Sequence, residues 1–198
     1  MIAPFKTILS QLYRPKDKSW HISFISALSK HTEQNCYLEV GIYEASTFNT
    51  VCREFKQALA IDINAAAESF ISKSAKASSE VTFLEGDLSS HENKLQNYAG
   101  DISLAFIDAD HRIDALTNDL SIVLPLLSKQ GLALAHDTFP PTPEMAADQY
   151  CSNSYLIGNV IREVFPEFTF GTIPISPGLT IIHRKALLPQ WLSSENLR

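Results

Sequence analysis

A chain of 198 residues, 45% of them hydrophobic, has the size of one domain and can bury a core without metal or disulfide staples. Its 22 acidic against 16 basic residues give a formal charge of −6, which repels phosphate backbones and speaks against a nucleic-acid partner. Cys36, Cys52 and Cys151 form neither a disulfide framework nor a zinc motif, no apolar run is long enough to span a membrane, and the first residues lack a signal peptide's apolar stretch, so a soluble cytoplasmic protein is expected.

Two helical segments, about 4–13 and 19–30, precede the first strand and are expected to form an N-terminal cap over residues 1–33. Short runs apolar on both alternating faces then read as strands: Cys36–Val40, Ala58–Ile61, Val81–Leu84, Ile102–Ile107 and Leu132–Ala135. Stretches of helical length separate them, at 45–57, 64–78, 88–98 and 112–128. In the last of these Ile113, Leu116, Leu120, Val123, Leu124 and Leu127 share one stripe, and Pro125 predicts a kink or a break. Pro140, Pro141 and Pro143 exclude regular structure after Asp137. A helix is expected over about 153–165, then two strand-like runs at 167–173 and 179–184. Their connection through Pro174 to Gly178 predicts an antiparallel hairpin at the sheet edge. The core would span 36–184, with a tail over 185–198, all within a single domain. Strands alternating with helices imply an α/β, Rossmann-like doubly wound fold. Its seven-stranded sheet would be mostly parallel with an antiparallel last strand, helices on both faces and the helical cap in front.

Ligands bind an open parallel sheet at the carboxyl ends of its strands. Each of the first five strands ends on a carboxylate: Glu39, Asp62, Asp87, Asp108 with Asp110, and Asp137 preceded by His136. These acids are expected to face one crevice and to suit hydroxyl and amine donors, positive charge or a metal ion. Gly41 opens the first turn, with Ser46 and Thr47 placed to cap the following helix. Asp62 follows Gly41 by 21 residues, the separation at which an acid accepts from a ribose diol. The dinucleotide fingerprint GxGxxG is absent, which speaks against a nicotinamide-dependent oxidoreductase. Asp62, Asp87 and Asp110 have an alternative reading as caps of the helices that follow them.

The segments Leu38-Glu39-Val40-Gly41, Ala60-Ile61-Asp62, Leu84-Glu85-Gly86-Asp87, Phe106-Ile107-Asp108-Ala109-Asp110-His111 and Gly131 to Asp137 stand in the order and spacing of class I S-adenosylmethionine-dependent methyltransferases. The chain most resembles their small-molecule O-methyltransferase branch, of macrocin and cephamycin type, a methyltransferase family 24-like pattern. The resemblance implies S-adenosylmethionine as cofactor and a small-molecule hydroxyl as acceptor. Glu39 and Gly41 would line the methionine end, with Tyr43 and Ser46 in the same turn; Asp62 would hold the ribose, and Asp87 with the Leu88 backbone would meet the adenine edge. Asp108, also at the cofactor, would form a divalent (Mg2+) site with His136 and Asp137, and Asp110 or His111 would be the general base. The chain departs from the pattern at Gly41–Thr47, where a second glycine is replaced or deleted. That departure favours the alternative, an inactive methyltransferase-like domain serving as a binding or scaffolding module. A homodimer paired through the apolar cap would suit the small domain.

Overall fold

The computed structural model describes residues 19–185. The expected helix at 4–13 and the tail beyond 185 lie outside them. Seven strands form one sheet: β1 (Cys36–Val40), β2 (Gln57–Asp62), β3 (Glu80–Glu85), β4 (Ile102–Ile107), β5 (Leu127–His136), β6 (Phe168–Ile173) and β7 (Leu179–Arg184). Their order is β3-β2-β1-β4-β5-β7-β6. The first five pair in parallel, and β7 pairs antiparallel with both β5 and β6. The expected hairpin forms, but its second strand is the inner one, because β7 inserts beside β5 and leaves β6 at the edge.

The helices are α1 (Trp20–Ser29), α2 (Ser46–Val51), α3 (Lys73–Ser78), α4 (Glu92–Leu95), α5 (Ile113–Leu126) and α6 (Ile157–Val164), with short 3-10 turns between them. Period-two alternation divides the sheet's side chains between two cores. Leu38, Val40, Ala105 and Ile107 face Leu116, Leu120 and Val123 of α5 with Ile157 and Ile161 of α6. Tyr37, Ala60, Leu104 and Phe106 face Ile25 of α1, Phe48 of α2 and Ala75 of α3. Both faces are covered, as near-continuous apolar strands require.

Several elements are shorter than the sequence pattern suggests. The stretch expected as one helix over 45–57 is α2 plus a 3-10 turn, Cys52–Glu54, before β2 begins at Gln57. The 64–78 and 88–98 stretches likewise break into 3-10 turns around α3 and α4. Pro125 does not kink α5. It stands in the last turn, and the expected break takes the form of the helix end itself, at Leu126. β5 begins five residues earlier than expected, at Leu127, because its ladder with β4 shifts register between Ile102 and Leu104. Gly131 serves that irregularity, since a Cβ there would stand 2.6 Å from the Ile102 carbonyl oxygen.

Candidate functional site

Chain order reverses between β1 and β4, and the tips of β3, β2, β1 and β4 open onto a cavity of about 500 Å3. That size suits a ligand of nucleoside dimensions or larger. Val40 and Gly41 form its floor, Asp62 and Ile63 come from the β2 tip, and the opposite wall is the N-terminal part of α5.

Gly41 is fixed by packing as much as by turning. Its φ is +83°, and a Cβ would meet Asp108 O at 2.3 Å and Ala109 Cα at 2.9 Å. The loop that follows makes its bend without the expected second glycine. Tyr43 and Ala45 take left-handed conformations, φ +47° and +55°. The Ala45 methyl is buried against the α1–α2 core, so it does not crowd the cavity. Ala45 is also the helix N-cap and has no side-chain oxygen, so the expected capping by Ser46 and Thr47 does not occur. Ser46 is exposed and lies outside the cavity lining.

Of the five strand-tip acids, the expected single ring holds three: Asp62, Asp87 and Asp108 line the cavity, with Asp110 beside them. Glu39 does not. Alternation puts it on the opposite face of β1, with its carboxylate 2.5 Å from the Tyr37 hydroxyl and only 2% of the residue exposed. Burial pushes its pKa well up, although the Tyr37 hydroxyl opposes this.

Asp62 accepts the backbone N–H of Tyr43 (2.9 Å) and of Asn64 (2.8 Å), so it ties the β1 loop to the β2 tip. It does not cap the next turn; Asn64 does, accepting from Ala66 N. With one bond on each oxygen, lone pairs remain for a diol. Asp87 does cap, accepting from Ser90 N at 3.0 Å and from Ser89 Oγ at 2.5 Å. These bonds hold its pKa below the usual value. Leu88 follows it, buried and lining the cavity.

Asp110 is gripped by Arg112 through Nε at 3.0 Å and a guanidinium NH2 at 2.8 Å, which lowers its pKa. A carboxylate so held is a weak proton acceptor, contrary to the expected role as base. Nor is it the cap of α5: Asn153, 40 residues on, accepts from Ile113 N at 2.6 Å.

Asp108, His111 and Asp137 converge, each offering an atom within 4.8 Å of the others. His111 Nδ1 donates to the Tyr150 carbonyl at 2.5 Å, which fixes the tautomer and leaves Nε2 as the lone-pair nitrogen of the neutral ring. Nε2 stands 3.0 Å from Asp137 Oδ2 and 3.5 Å from Asp108 Oδ1, yet it has no partner in hydrogen-bond geometry. Two carboxylates and a buried, unsatisfied nitrogen around one point suit a divalent cation. His136, expected among the ligands, stands behind them and donates from Nδ1 to Asp108 Oδ1 at 3.1 Å. It orients the carboxylate, as second partners of metal ligands do. Its ring packs on His21 of α1, with centroids 4.4 Å apart.

The cluster's charges are strongly coupled. Burial pushes Asp108 up, but His136 and His111 outweigh it and hold the carboxyl far below its usual range. Burial lowers His111, but Asp108 and Asp137 carry it up to about 9, so at neutral pH Nε2 carries a proton that a cation would displace. Asp137, raised mainly by burial, has a left-handed backbone with φ +57°. Its carbonyl is bonded by Ser154 Oγ at 2.5 Å. Strained non-glycine residues of this kind gather at functional sites.

Sequence patterning did not single out Asp119, on the cavity side of α5 beside Ala115 and Asn118. The polar pair Asn118 and Asp119, three and four residues after Ala115, was the available signal. Burial, then Asp110 and Asp87, push Asp119 up to about 6. A raised carboxyl favours folding at low pH, and that contribution is lost as the pH climbs from the unfolded value near 4 through 6. Asp119→Asn is therefore expected to stabilise the protein at pH 8 by on the order of 1–2 kcal/mol. The gain should shrink steadily towards pH 4. Thermal melts of both proteins across that range check it.

The sequence profile of a methyltransferase domain family matches residues 38–138. No curated protein matches this sequence. Among solved structures, the O-methyltransferase of Bacillus cereus in complex with SAH superposes with a TM-score of 0.66 at 12% identity, over 91% of this chain and 88% of that one. TomG, an O-methyltransferase of Streptomyces achromogenes in complex with SAM, gives 0.66 at 13% identity, over 88% and 86%. The SAH-bound methyltransferase PaMTH1 of Podospora anserina gives 0.62 at 19%, over 83% and 78%. These likenesses carry the fold, and the profile carries the kinship: the chain belongs to the methyltransferase domain family.

Proposed function

We propose that the protein transfers a methyl group from S-adenosylmethionine to a hydroxyl of a small molecule, assisted by a divalent cation held by Asp108, His111 and Asp137. The observation that carries this reading is the double position of Asp108, which lines the cavity and belongs to the converging triad. Cofactor and acceptor would therefore meet at one carboxylate. O-methyltransferases with SAH or SAM bound share the fold, which supports the choice of cofactor and reaction.

In this reading Asp62 receives the ribose hydroxyls, and the Gly41 turn leaves room for the amino-acid end. The acceptor oxygen lies beyond Asp108, on the side of His111 and Asp137. Its proton passes to water, its oxygen takes the methyl carbon, and the carbon–sulfur bond breaks to give S-adenosylhomocysteine. When bound, the cation supplies charge that lowers the pKa of the acceptor hydroxyl. His136 holds Asp108 in place, and the Tyr150 carbonyl holds His111. One nitrogen among the donors favours Mn2+ or Co2+ over Mg2+.

Two measurements test the reading. Calorimetry with S-adenosylhomocysteine should give saturable binding, weakened at least 10-fold by Asp62→Ala. Manganese titration followed by electron paramagnetic resonance should show one bound ion per chain, with His111→Ala weakening it by roughly 10–100-fold. A protein that binds neither ligand would be the inactive scaffold instead.

A further inference from the structure

Two of the three groups that converge at the candidate cation site are held by one short segment of the loop after β5. Its Tyr150 carbonyl accepts from His111 Nδ1 at 2.5 Å, and its Ser154 Oγ donates to the Asp137 carbonyl at 2.5 Å. Between them, Asn153 Oδ1 accepts from Ile113 N at 2.6 Å and so ties the segment to the first residue of α5. The tips of β4 and β5 are thereby pinned to one piece of chain that belongs to neither.

The segment has an internal frame of its own. The N–H groups of Tyr150 and Ser152 both bond to the Ala147 carbonyl, at 2.9 and 3.1 Å, and that of Cys151 bonds to the Met145 carbonyl at 2.9 Å. Ser154 is fully buried, and its hydroxyl lies between the Asp137 carbonyl and the Cys151 carbonyl, 2.7 Å away. A buried hydroxyl shared by two carbonyls has no water to turn to. On the receiving side Asp137 is left-handed, at φ +57°, a conformation that a non-glycine residue keeps only where its surroundings impose it. The bond from Ser154 is one such constraint, and it acts from outside the cofactor cavity. What it governs is the approach of Asp137 Oδ2 to His111 Nε2, now 3.0 Å.

Resting on the cation reading above, we propose that Ser154 and Asn153 are positioning residues: they clasp the tips of β5 and β4 at the spacing a divalent cation needs, and so couple occupancy of the cation site to the order of segment 150–154. Such coupling is reciprocal. Cation binding must stabilise the segment by as much as the segment stabilises cation binding.

Manganese titration followed by electron paramagnetic resonance tests the clasp. Ser154→Ala should weaken manganese by about 10-fold or more, and Asn153→Ala by about 3–10-fold. Asn153→Asp keeps the accepting oxygen, so it should stay within about 3-fold of the unmodified protein. Calorimetry with S-adenosylhomocysteine should change by less than about 2-fold in all three, because neither residue lines the cavity. Ser72→Ala is the control for a purely structural loss. It removes the cap of α3, in the connection between β2 and β3, and should leave manganese affinity as it was. A second measurement needs no variant to fold: in the unmodified protein, manganese should slow amide exchange in segment 150–154 by about 5-fold or more. Unchanged manganese affinity in Ser154→Ala, an equal loss in Ser72→Ala, no recovery in Asn153→Asp, or exchange indifferent to manganese would each overturn the clasp while leaving the cation site standing. An unmodified protein that binds no manganese would overturn the cation reading, and the clasp with it.

Discussion

Gly41→Ala is expected to lower stability by about 2–4 kcal/mol and to weaken S-adenosylhomocysteine by at least about 10-fold. The added methyl would stand 2.3 Å from one backbone atom and under 3 Å from two more, all at the end of β4. None of these is the far end of a flexible side chain, so the strand tips must part. The positive φ adds strain of about 1–2 kcal/mol by itself. Parting the tips would disturb the Gly41 N–H bond to Ile61 O (2.8 Å) and the Asp108 N–H bond to Val40 O (2.9 Å). Those two bonds align β2, β1 and β4 at the cavity floor. Stability and binding should therefore fall together, read by thermal melts and calorimetry. Ala45→Gly is the control, because it replaces a left-handed alanine that lies away from the cavity. It should leave binding unchanged.

Asp108→Asn is expected to have the largest effect on activity. The variant keeps the shape of the side chain and removes the charge that both His136 and His111 face. Cation affinity should fall by at least about 100-fold, and turnover by roughly 1,000-fold or more, since one change strikes ligand binding and acceptor activation at once. Asp110→Asn supplies the contrast. Its carboxylate is spent on Arg112 and already has a lowered pKa, so turnover should change by less than about 10-fold. Were Asp110 the general base, the order of the two variants would reverse. Initial rates of both against the unmodified protein decide between these outcomes.

The sheet was legible because its strands are apolar on both faces and bounded by helical lengths. What the pattern could not carry is long-range. Alternation along β1 already implied that Glu39 and Val40 face opposite ways, but not that the cavity would lie on the valine's side. The hydrophobic stripe of α5 was plain, whereas the use of its other face depended on how the β3 turn packs beside it. His136 and Asp137 were found as a pair at the tip of β5. Their division of labour rests on long-range placement: His136 Nδ1 reaches Asp108 at 3.1 Å and Asp137 at 3.4 Å, and Asp137 in turn reaches His111 Nε2 at 3.0 Å. The loop after Asp137 was read as irregular, yet Tyr150 and Asn153 return from it to hold His111 and cap α5. Such contacts, about 40 residues apart in sequence, leave no local periodic signal.

A crystal structure of the protein with S-adenosylhomocysteine is the most direct test of the claim that four strand tips cradle an adenosyl cofactor whose sulfur faces Asp108. The account predicts ribose hydroxyls on Asp62, the base between Leu88 and α5, and the sulfur on the Asp108 side of Gly41. Density for the nucleoside elsewhere, or an empty cavity at saturating ligand, would contradict it.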